Sequence, residues 1–346
     1  MNKNSVHETG VGPLVSSSGE LVLSEKGKAE LLHSFFVSAC TTDDGVLPPL
    51  TAYATAEDKS ILDSVKFRTS QTKQILKKLK NKTSSGTDGL PSTLFKNLAN
   101  QLAHPLTLMF NIVMHAGEVP DQWKQAKVIS IFKKGPSSAP KNYRPISLTC
   151  VGSKIFESVI KIVMVPFLEE KNLISNHQHG FRSTHSTCLN LLESLNDWTE
   201  NLDSRLETVV THVDFARAFD SVSIPKLVHK LKWAEVERQL LASICSMLSD
   251  RTHGVKIGKS FSAFQSVSSG VPQGSVLGPI LFIFYINNIT DEISPPFTPK
   301  LYADDLKAYN FQLIDKEGKA FNEMLEKLLI GLVLGNYPFL PKNQNG

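Results

Sequence analysis

Cysteine is scarce in this sequence: Cys40, Cys150, Cys188 and Cys245 are the only four in 346 residues, and none lies in a CxxC pair. That spacing excludes a paired structural zinc site and a secreted disulfide scaffold. Long apolar runs are missing too. The longest, Val276 to Ile286, is interrupted by Gly278 and Pro279 and is too short to span a bilayer. The N-terminus, MNKNSVHETG, has no apolar core of the kind a signal peptide needs. Neither an internal repeat nor a low-complexity tract occurs. Together these absences predict an intracellular protein in a reducing compartment, neither secreted nor membrane-embedded, in which the N-x-T sequons at Asn81 and Asn288 carry no weight.

The length predicts two or three domains with a sizeable core, and the 41% apolar and 20% charged fractions fit a folded globular chain. Net charge is only +4, yet its distribution is uneven. Between Gln71 and Lys154 there are 13 Lys and Arg against three acids (Asp88, Glu118, Asp121), a local excess of +10, so the remainder sums to −6. A basic block beside an acidic remainder calls for a partner or another reason.

Residues 26–38 carry Leu31, Leu32, Phe35 and Phe36 on one helical face, and the acidic turn 42–45 with Pro48-Pro49 marks a boundary. A helix is predicted over 70–79 with Ser70 as its N-cap, followed by the tight glycine-rich loop TSSGTDGLPSTLFK leading into another. Lys127–Phe132 alternates as a strand, and the loop after it holds Lys133, Lys134, Lys141 and Arg144. Helical patterning spans 153–170, with Pro166 as a kink or end. Val209–Asp214 reads as a short β-branched strand ending in a carboxylate. Pro225 opens a helix, and a stronger helix covers 234–249. Residues 254–267 read as a hairpin, and 300–309 as strand, turn, strand with Asp304-Asp305 at the turn. Strands and helices interleave without strict βαβ alternation, so the predicted class is α+β.

Two acidic sites thus end strand-like runs: Asp214 in VVTHVDFARAFD and Asp304-Asp305 in KLYADDLKAY. Successive side chains on a strand face opposite ways, so a DD pair serving one site must sit at a turn. Carboxylates gathered at strand ends repel unless a cation offsets them. Magnesium suits such a cluster, since it takes one or two carboxylates plus substrate phosphates, and two ions would activate a hydroxyl nucleophile and stabilise a leaving pyrophosphate. By itself, an Asp pair in a hairpin is ordinary turn chemistry.

The neighbouring blocks add a resemblance. GTDGLPSTLFK (86–96), IFKKGPSSAPKNYRPISLT (131–149), QHGFRSTHST (178–187), VDFARAFDSV (213–222), SSGVPQGSVLGPILFIFYINNI (268–289) and YADD (302–305) occur in that order. In this series the chain resembles the reverse transcriptases of non-LTR (LINE-like) retrotransposons. The segment GPLVSSSGELVLSEKGKAELLHSFF (12–36) is similar to the stretch that precedes the domain there. The wording of the SSGVPQGSVLGP and NYRPISLT blocks favours that lineage over group II intron or telomerase enzymes.

The resemblance implies an α+β right-hand polymerase, fingers and palm, with an antiparallel palm sheet packed on helices and the thumb missing or incomplete. Its expected divisions are an N-terminal extension (1–65), fingers and palm (66–310) and a divergent, truncated tail (311–346). It implies RNA-directed DNA synthesis by two-metal nucleotidyl transfer of dNTPs to a primer 3′-hydroxyl. The alternative is a non-catalytic retroelement remnant with residual RNA binding. Asp214, Asp304 and Asp305 become the catalytic and metal-binding carboxylates, with the backbone oxygen of Phe215 facing a metal. Magnesium, two ions, is the implied cofactor, with manganese as a substitute. Arg144, with Lys133 or Lys134, would hold the triphosphate. Phe219 would exclude a ribose 2′-hydroxyl, although a core aromatic is the plainer reading of that residue. Gln273 would bond near the nucleotide sugar or template. Asp220 matches a position better explained as local structure. Gly180, Phe181 and Arg182 would touch template by close approach, stacking and phosphate pairing, with a packed ring the other reading of Phe181. The implied partners are an RNA template, a DNA primer or nicked target DNA, and dNTPs, with no membrane.

Overall fold

A computed structural model of the chain describes residues 10–47, 60–215, 217–293, 295–310, 322–326 and 328. The chain opens with a two-stranded ribbon, β1 (Leu14–Val15) and β2 (Leu21–Val22), then helix α1 (Glu25–Val37). Helices α2 (Thr69–Lys78), α3 (Ser92–Asn97), α4 (Ala99–Ala116) and α5 (Asp121–Lys124) follow. Next come β3 (Gln125–Phe132), β4 (Tyr143–Leu148), α6 (Val151–Glu170) and α7 (Thr187–Asp203). After β5 (Val209–Asp214) lie α8 (Ile224–Trp233) and α9 (Arg238–Leu248). The strands β6 (Arg251–Ile257), β7 (Ser260–Phe261) and β8 (Gln265–Val267) precede α10 (Gly278–Tyr285), and β9 (Phe297–Tyr302) and β10 (Asp305–Asn310) form the last hairpin.

Two sheets organise these elements, and the class is α+β as the interleaved pattern predicts. The three-stranded sheet has the order β5-β10-β9 and is antiparallel throughout. The five-stranded sheet runs β4-β3-β6-β7 with β8 also on β6, and its β3–β6 pair is parallel. A large apolar core joins the helices to the three-stranded sheet, from Phe67, Phe110 and Phe156 through Ile244 and Phe282 to Leu301 and Leu306. Helix α10 is apolar and buried all round, which explains the longest apolar run as a core helix rather than a span. Among the described residues no helix is long and apolar enough to cross a membrane. A second core packs Leu14, Leu32 and Phe36 against Val128, Tyr143, Val255 and Ile257, so residues 11–36 complete the five-stranded sheet.

Local chemistry sets the helix ends. Ser24, Ser186 and Ser223 accept from the backbone N–H of Gly27, Leu189 and Lys226, and α4 stops at Gly117, whose φ of 68° suits glycine. Four boundaries depart from expectation. The cap residue of α2 is Arg68, without a side-chain bond, and Ser70 lies inside the helix. Pro166 neither ends α6 nor stops it short of Glu170. The predicted 234–249 helix begins only at Arg238, because Glu235 and Arg238 have positive φ. Finally, the turn of the last hairpin is Ala303-Asp304, and Asp305 already belongs to the strand. Apart from residues 322–326 and 328, the expected tail lies outside the described residues.

Candidate active site

The end of the three-stranded sheet collects the carboxylates. Asp214 closes β5 and stands opposite Asp305, the first residue of β10, while Asp304 occupies the turn between Tyr302 and Asp305. Asp214 and Asp305 are exposed, and Asp304 is half-buried. Burial pushes the Asp304 carboxyl above its ordinary pKa. Asp305 and Asp214 push it the same way, and Arg144 on β4 pulls it down. The arrangement therefore brings Asp214, Asp304, Asp305 and the Arg144 guanidinium into one electrostatic neighbourhood. Lys133 and Lys134 are exposed just beyond the end of β3, where the Lys133 N–H donates to Asn142 O at 2.8 Å.

The turn is held in a conformation that alanine does not favour: Ala303 has φ 56°. Residues 177–179 run alongside β9, with mutual backbone bonds of 2.9 Å between Leu301 and His177 and between His179 and Leu301. From there Gln178 reaches the turn. Its Oε1 accepts from the N–H of Ala303 at 2.9 Å and of Gly180 at 2.7 Å, and its Nε2 donates to Ala303 O at 3.4 Å. A Cβ on Gly180 would run into the Ala303 backbone nitrogen, so glycine there permits the close approach. Sequence reasoning placed Gly180 on template and passed over Gln178. The adjacent amide and glycine in QHGF were the available signal.

Phe181 is exposed at 44%, and its ring meets Phe219 edge-on at 6.3 Å. Phe219 in turn stacks on Phe282 at 4.4 Å, so one ring is both a core contact and half-exposed. Arg182 is engaged internally, with Nε 3.4 Å from Glu169 Oε1 and Nη1 donating to Ser175 O at 3.1 Å. The Phe215 side chain is buried just after Asp214.

The GVPQGS loop lies between β4 and the segment after β5. Gln273 Nε2 donates to both Asp220 oxygens at 3.2 Å, and Gln273 O accepts from Ser147 N at 2.7 Å. Asp220 is thereby a local brace, as its position suggested, and burial pushes its carboxyl up to about 6. The loop is also held from behind. Buried Glu157 of α6 accepts from Val276 N at 2.6 Å and Leu277 N at 2.9 Å. Glu157 was not singled out from sequence. An acid amid the apolar residues of α6, well before the Glu169-Glu170 pair at its end, was the signal.

Among the described residues no three His, Cys, Asp or Glu side chains converge into a ready-made metal cage. The donor set itself is all carboxylate at a solvent-open strand end. That fits a hard divalent cation which takes one or two protein carboxylates and completes its shell with water and phosphate.

Comparison with known proteins places these blocks. The reverse transcriptase (RNA-dependent DNA polymerase) profile matches residues 131–329. The chain is 29% identical over 251 residues to the probable RNA-directed DNA polymerase from transposon BS of Drosophila melanogaster, covering 70% of this chain and 28% of that protein. It is 33% identical over 205 residues to the corresponding protein of transposon X-element from the same organism, covering 59% and 22%. To the RNA-directed DNA polymerase from mobile element jockey, also of Drosophila melanogaster, it is 32% identical over 221 residues, covering 64% and 24%. The chain thus spans less than a third of the length of these relatives.

Proposed function

The chain belongs to the reverse transcriptase (RNA-dependent DNA polymerase) family, and on that premise we propose that it is the RNA-directed DNA polymerase part of a non-LTR retrotransposon protein. In this reading the three-stranded sheet is the palm, and the five-stranded sheet with its N-terminal segment belongs to the fingers. The observation that carries it is the register that sets Asp214 against Asp305 with Asp304 in the adjoining turn and Arg144 in electrostatic reach.

Asp214 and Asp304 would hold magnesium, with Asp305 as the third carboxylate and the Phe215 backbone oxygen beside them. When bound, the metal would activate the primer 3′-hydroxyl and neutralise charge on the leaving pyrophosphate. Manganese would substitute. Arg144 would grip the triphosphate through its planar donor fork, and Lys133 and Lys134 would add charge from the hairpin end. Phe219, backed by Phe282, would stand where a ribose 2′-hydroxyl has to fit and so favour dNTPs. Gln273, steadied by Asp220, would line the sugar or template side with its remaining acceptor. Phe181 would stack against template, with Gly180 and Arg182 holding its segment in place. The partners follow: an RNA template, a DNA primer or nicked target DNA, and dNTPs.

The test is primer extension by the purified chain on RNA and DNA templates with magnesium. Extension is expected with the wild type, and Asp304→Asn should slow it by about a thousandfold, roughly 4 kcal/mol of transition-state stabilisation. Absence of extension by the wild-type chain, with RNA binding intact, would establish the non-catalytic reading instead.

A further inference from the structure

The acidic turn 42–45 and the residue before it are fastened across the loop that follows β5 and carries Phe219. The Thr41 hydroxyl donates to Ser221 O at 3.1 Å. Asp43 accepts from the hydroxyl of Ser223, the residue that caps α8. Asp44 lies 3.1 Å from the ammonium of Lys226, which is only 1% exposed. These partners stand 180 to 182 residues away in sequence, so no local rule of turn or cap calls for them.

Thr41 also joins this loop to the GVPQGS loop. Its N–H donates to Ser269 Oγ at 2.9 Å, and that hydroxyl donates onward to Asp220 O at 2.7 Å. Gly270 N and Val271 N close the junction, donating to Val222 O and Phe219 O at 2.8 Å. On the other side of Phe219, Arg217 has φ 50°, a conformation that L residues seldom adopt. Its guanidinium lies 4.4 Å from the centre of the Phe35 ring on α1 and donates to Ser38 Oγ at 3.4 Å. The N-terminal segment thus grips the chain two residues before Phe219 and two residues after it. None of residues 41–47 is buried, so this stretch adds contacts that are polar and directed rather than core.

We propose that residues 38–44 are a positioning strap for the incoming nucleotide, with Thr41 at its centre. By fixing the backbone on both sides of Phe219 the strap sets where that ring stands, and so how strictly deoxynucleotides are preferred to ribonucleotides. The proposal rests on the function given above, in which the Phe219 ring excludes a ribose 2′-hydroxyl. Exclusion by contact acts at short range, and a misplacement of about 1 Å is enough to change rates by large factors.

The test is single-nucleotide incorporation on an RNA template and DNA primer with magnesium, comparing dGTP with GTP. The readout is the ratio of kcat/KM for dGTP to that for GTP. Thr41→Val removes the hydroxyl with little change of shape and should lower the ratio about three- to tenfold. Its melting temperature should stay within about 3 °C of wild type, because the position is half-exposed. Thr41→Ser keeps the donor and should restore the ratio. Glu20→Gln, between β1 and β2, should leave it unaltered. In a Phe219→Val background, Thr41→Val should change the ratio no further.

Hydrogen exchange gives a readout that needs no catalysis: amides of 217–223 and 269–271 should lose protection in Thr41→Val and regain it in Thr41→Ser. Unchanged exchange overturns the proposal whether or not the chain polymerises. So does an unchanged ratio in an active Thr41→Val variant, or an equal fall in the Phe219→Val background, which puts the effect elsewhere than the ring. A wild-type chain that incorporates neither nucleotide, with exchange responding as expected, sinks the polymerase reading and the role in nucleotide choice together, and leaves the strap's hold on the loop standing.

Discussion

Two loops flank the candidate active site, and they are held in opposite ways. The turn 302–305 carries the carboxylates but is braced by neutral groups: the Gln178 carboxamide, the backbone of Gly180 and the strand 177–179 alongside β9. The loop 270–277 carries no charge but is braced by carboxylates, Asp220 on Gln273 and Glu157 on the N–H groups of Val276 and Leu277. Both contain backbone with positive φ, at Ala303 (56°) in the first and at Gly270 (89°) and Gly274 (117°) in the second. A neutral brace adds nothing to the repulsion among Asp214, Asp304 and Asp305. A charged brace is tolerable only at the loop that presents none of them. The turn should accordingly be sensitive to shape, and the loop to charge and proton concentration.

The sharpest way to break this contrast is at Glu157. Glu157→Ala removes the partner of two backbone N–H groups and of Ser153, and it leaves the buried Arg251 without the carboxylate that favours its charge. Uncompensated buried groups of this kind cost about 3–5 kcal/mol, which urea unfolding would read directly. Glu157→Gln keeps an acceptor and should recover part of the loss. A cost below 1 kcal/mol for the alanine variant would mean that the loop is not held by its carboxylate.

Gly180→Ala tests the neutral brace. The added methyl would meet the Ala303 backbone first and the Gln178 Oε1 beside it, so the turn or the 177–180 segment must shift, at about 1–3 kcal/mol. The stability loss should be smaller than for Glu157→Ala, yet primer extension should suffer more per unit of stability, because the displaced backbone leads straight into Asp304. Equal ratios of activity loss to stability loss in the two variants would erase the distinction between the loops.

The sequence makes the strand Val209–Asp214 legible to the residue, because a β-branched run ending in a carboxylate has few alternatives. The hairpin 300–309 is legible in kind but off by one at its turn. Asp favours turns, so Asp304-Asp305 reads as the pair at the bend, whereas the actual bend places Ala303 at positive φ. Nothing in the residue type announces that, since the conformation is imposed by Gln178 from 125 positions away. The same limit applies to Arg182 and Gln273. Their chemistry suits phosphate or sugar, but Glu169 and Asp220, the groups that engage them, lie 13 and 53 residues off in sequence. Residue type specified what these side chains can bind, and long-range packing decided what they do bind. The basic block is a further case. Its charge was countable from the sequence, but the cavity that concentrates Lys80, Lys82 and Lys154 depends on α2 meeting the start of α6.

The smallest expected effect is a pH dependence from the carboxylate that braces the loop. The Asp220 carboxyl is pushed from an ordinary value of 3.8 up to about 6, chiefly by burial, against the pull of Gln273 and Arg217. Between those two values the folded chain holds a proton that the unfolded chain has released, so stability from this group falls as pH rises from about 4 to 6 and is flat above. His253 works against it in the same window. Burial lowers its pKa to about 4, so the unfolded chain takes up the proton first, and that contribution is lost as pH falls. The whole-protein curve mixes the two, and the comparison that isolates Asp220 is wild type against Asp220→Asn. With partial solvent screening, the variant should gain about 1–2 kcal/mol relative to wild type between pH 4 and pH 7, read from urea midpoints at each pH. If the Asp220→Asn curve runs parallel to wild type, the loop's brace is not charged in the way its geometry requires.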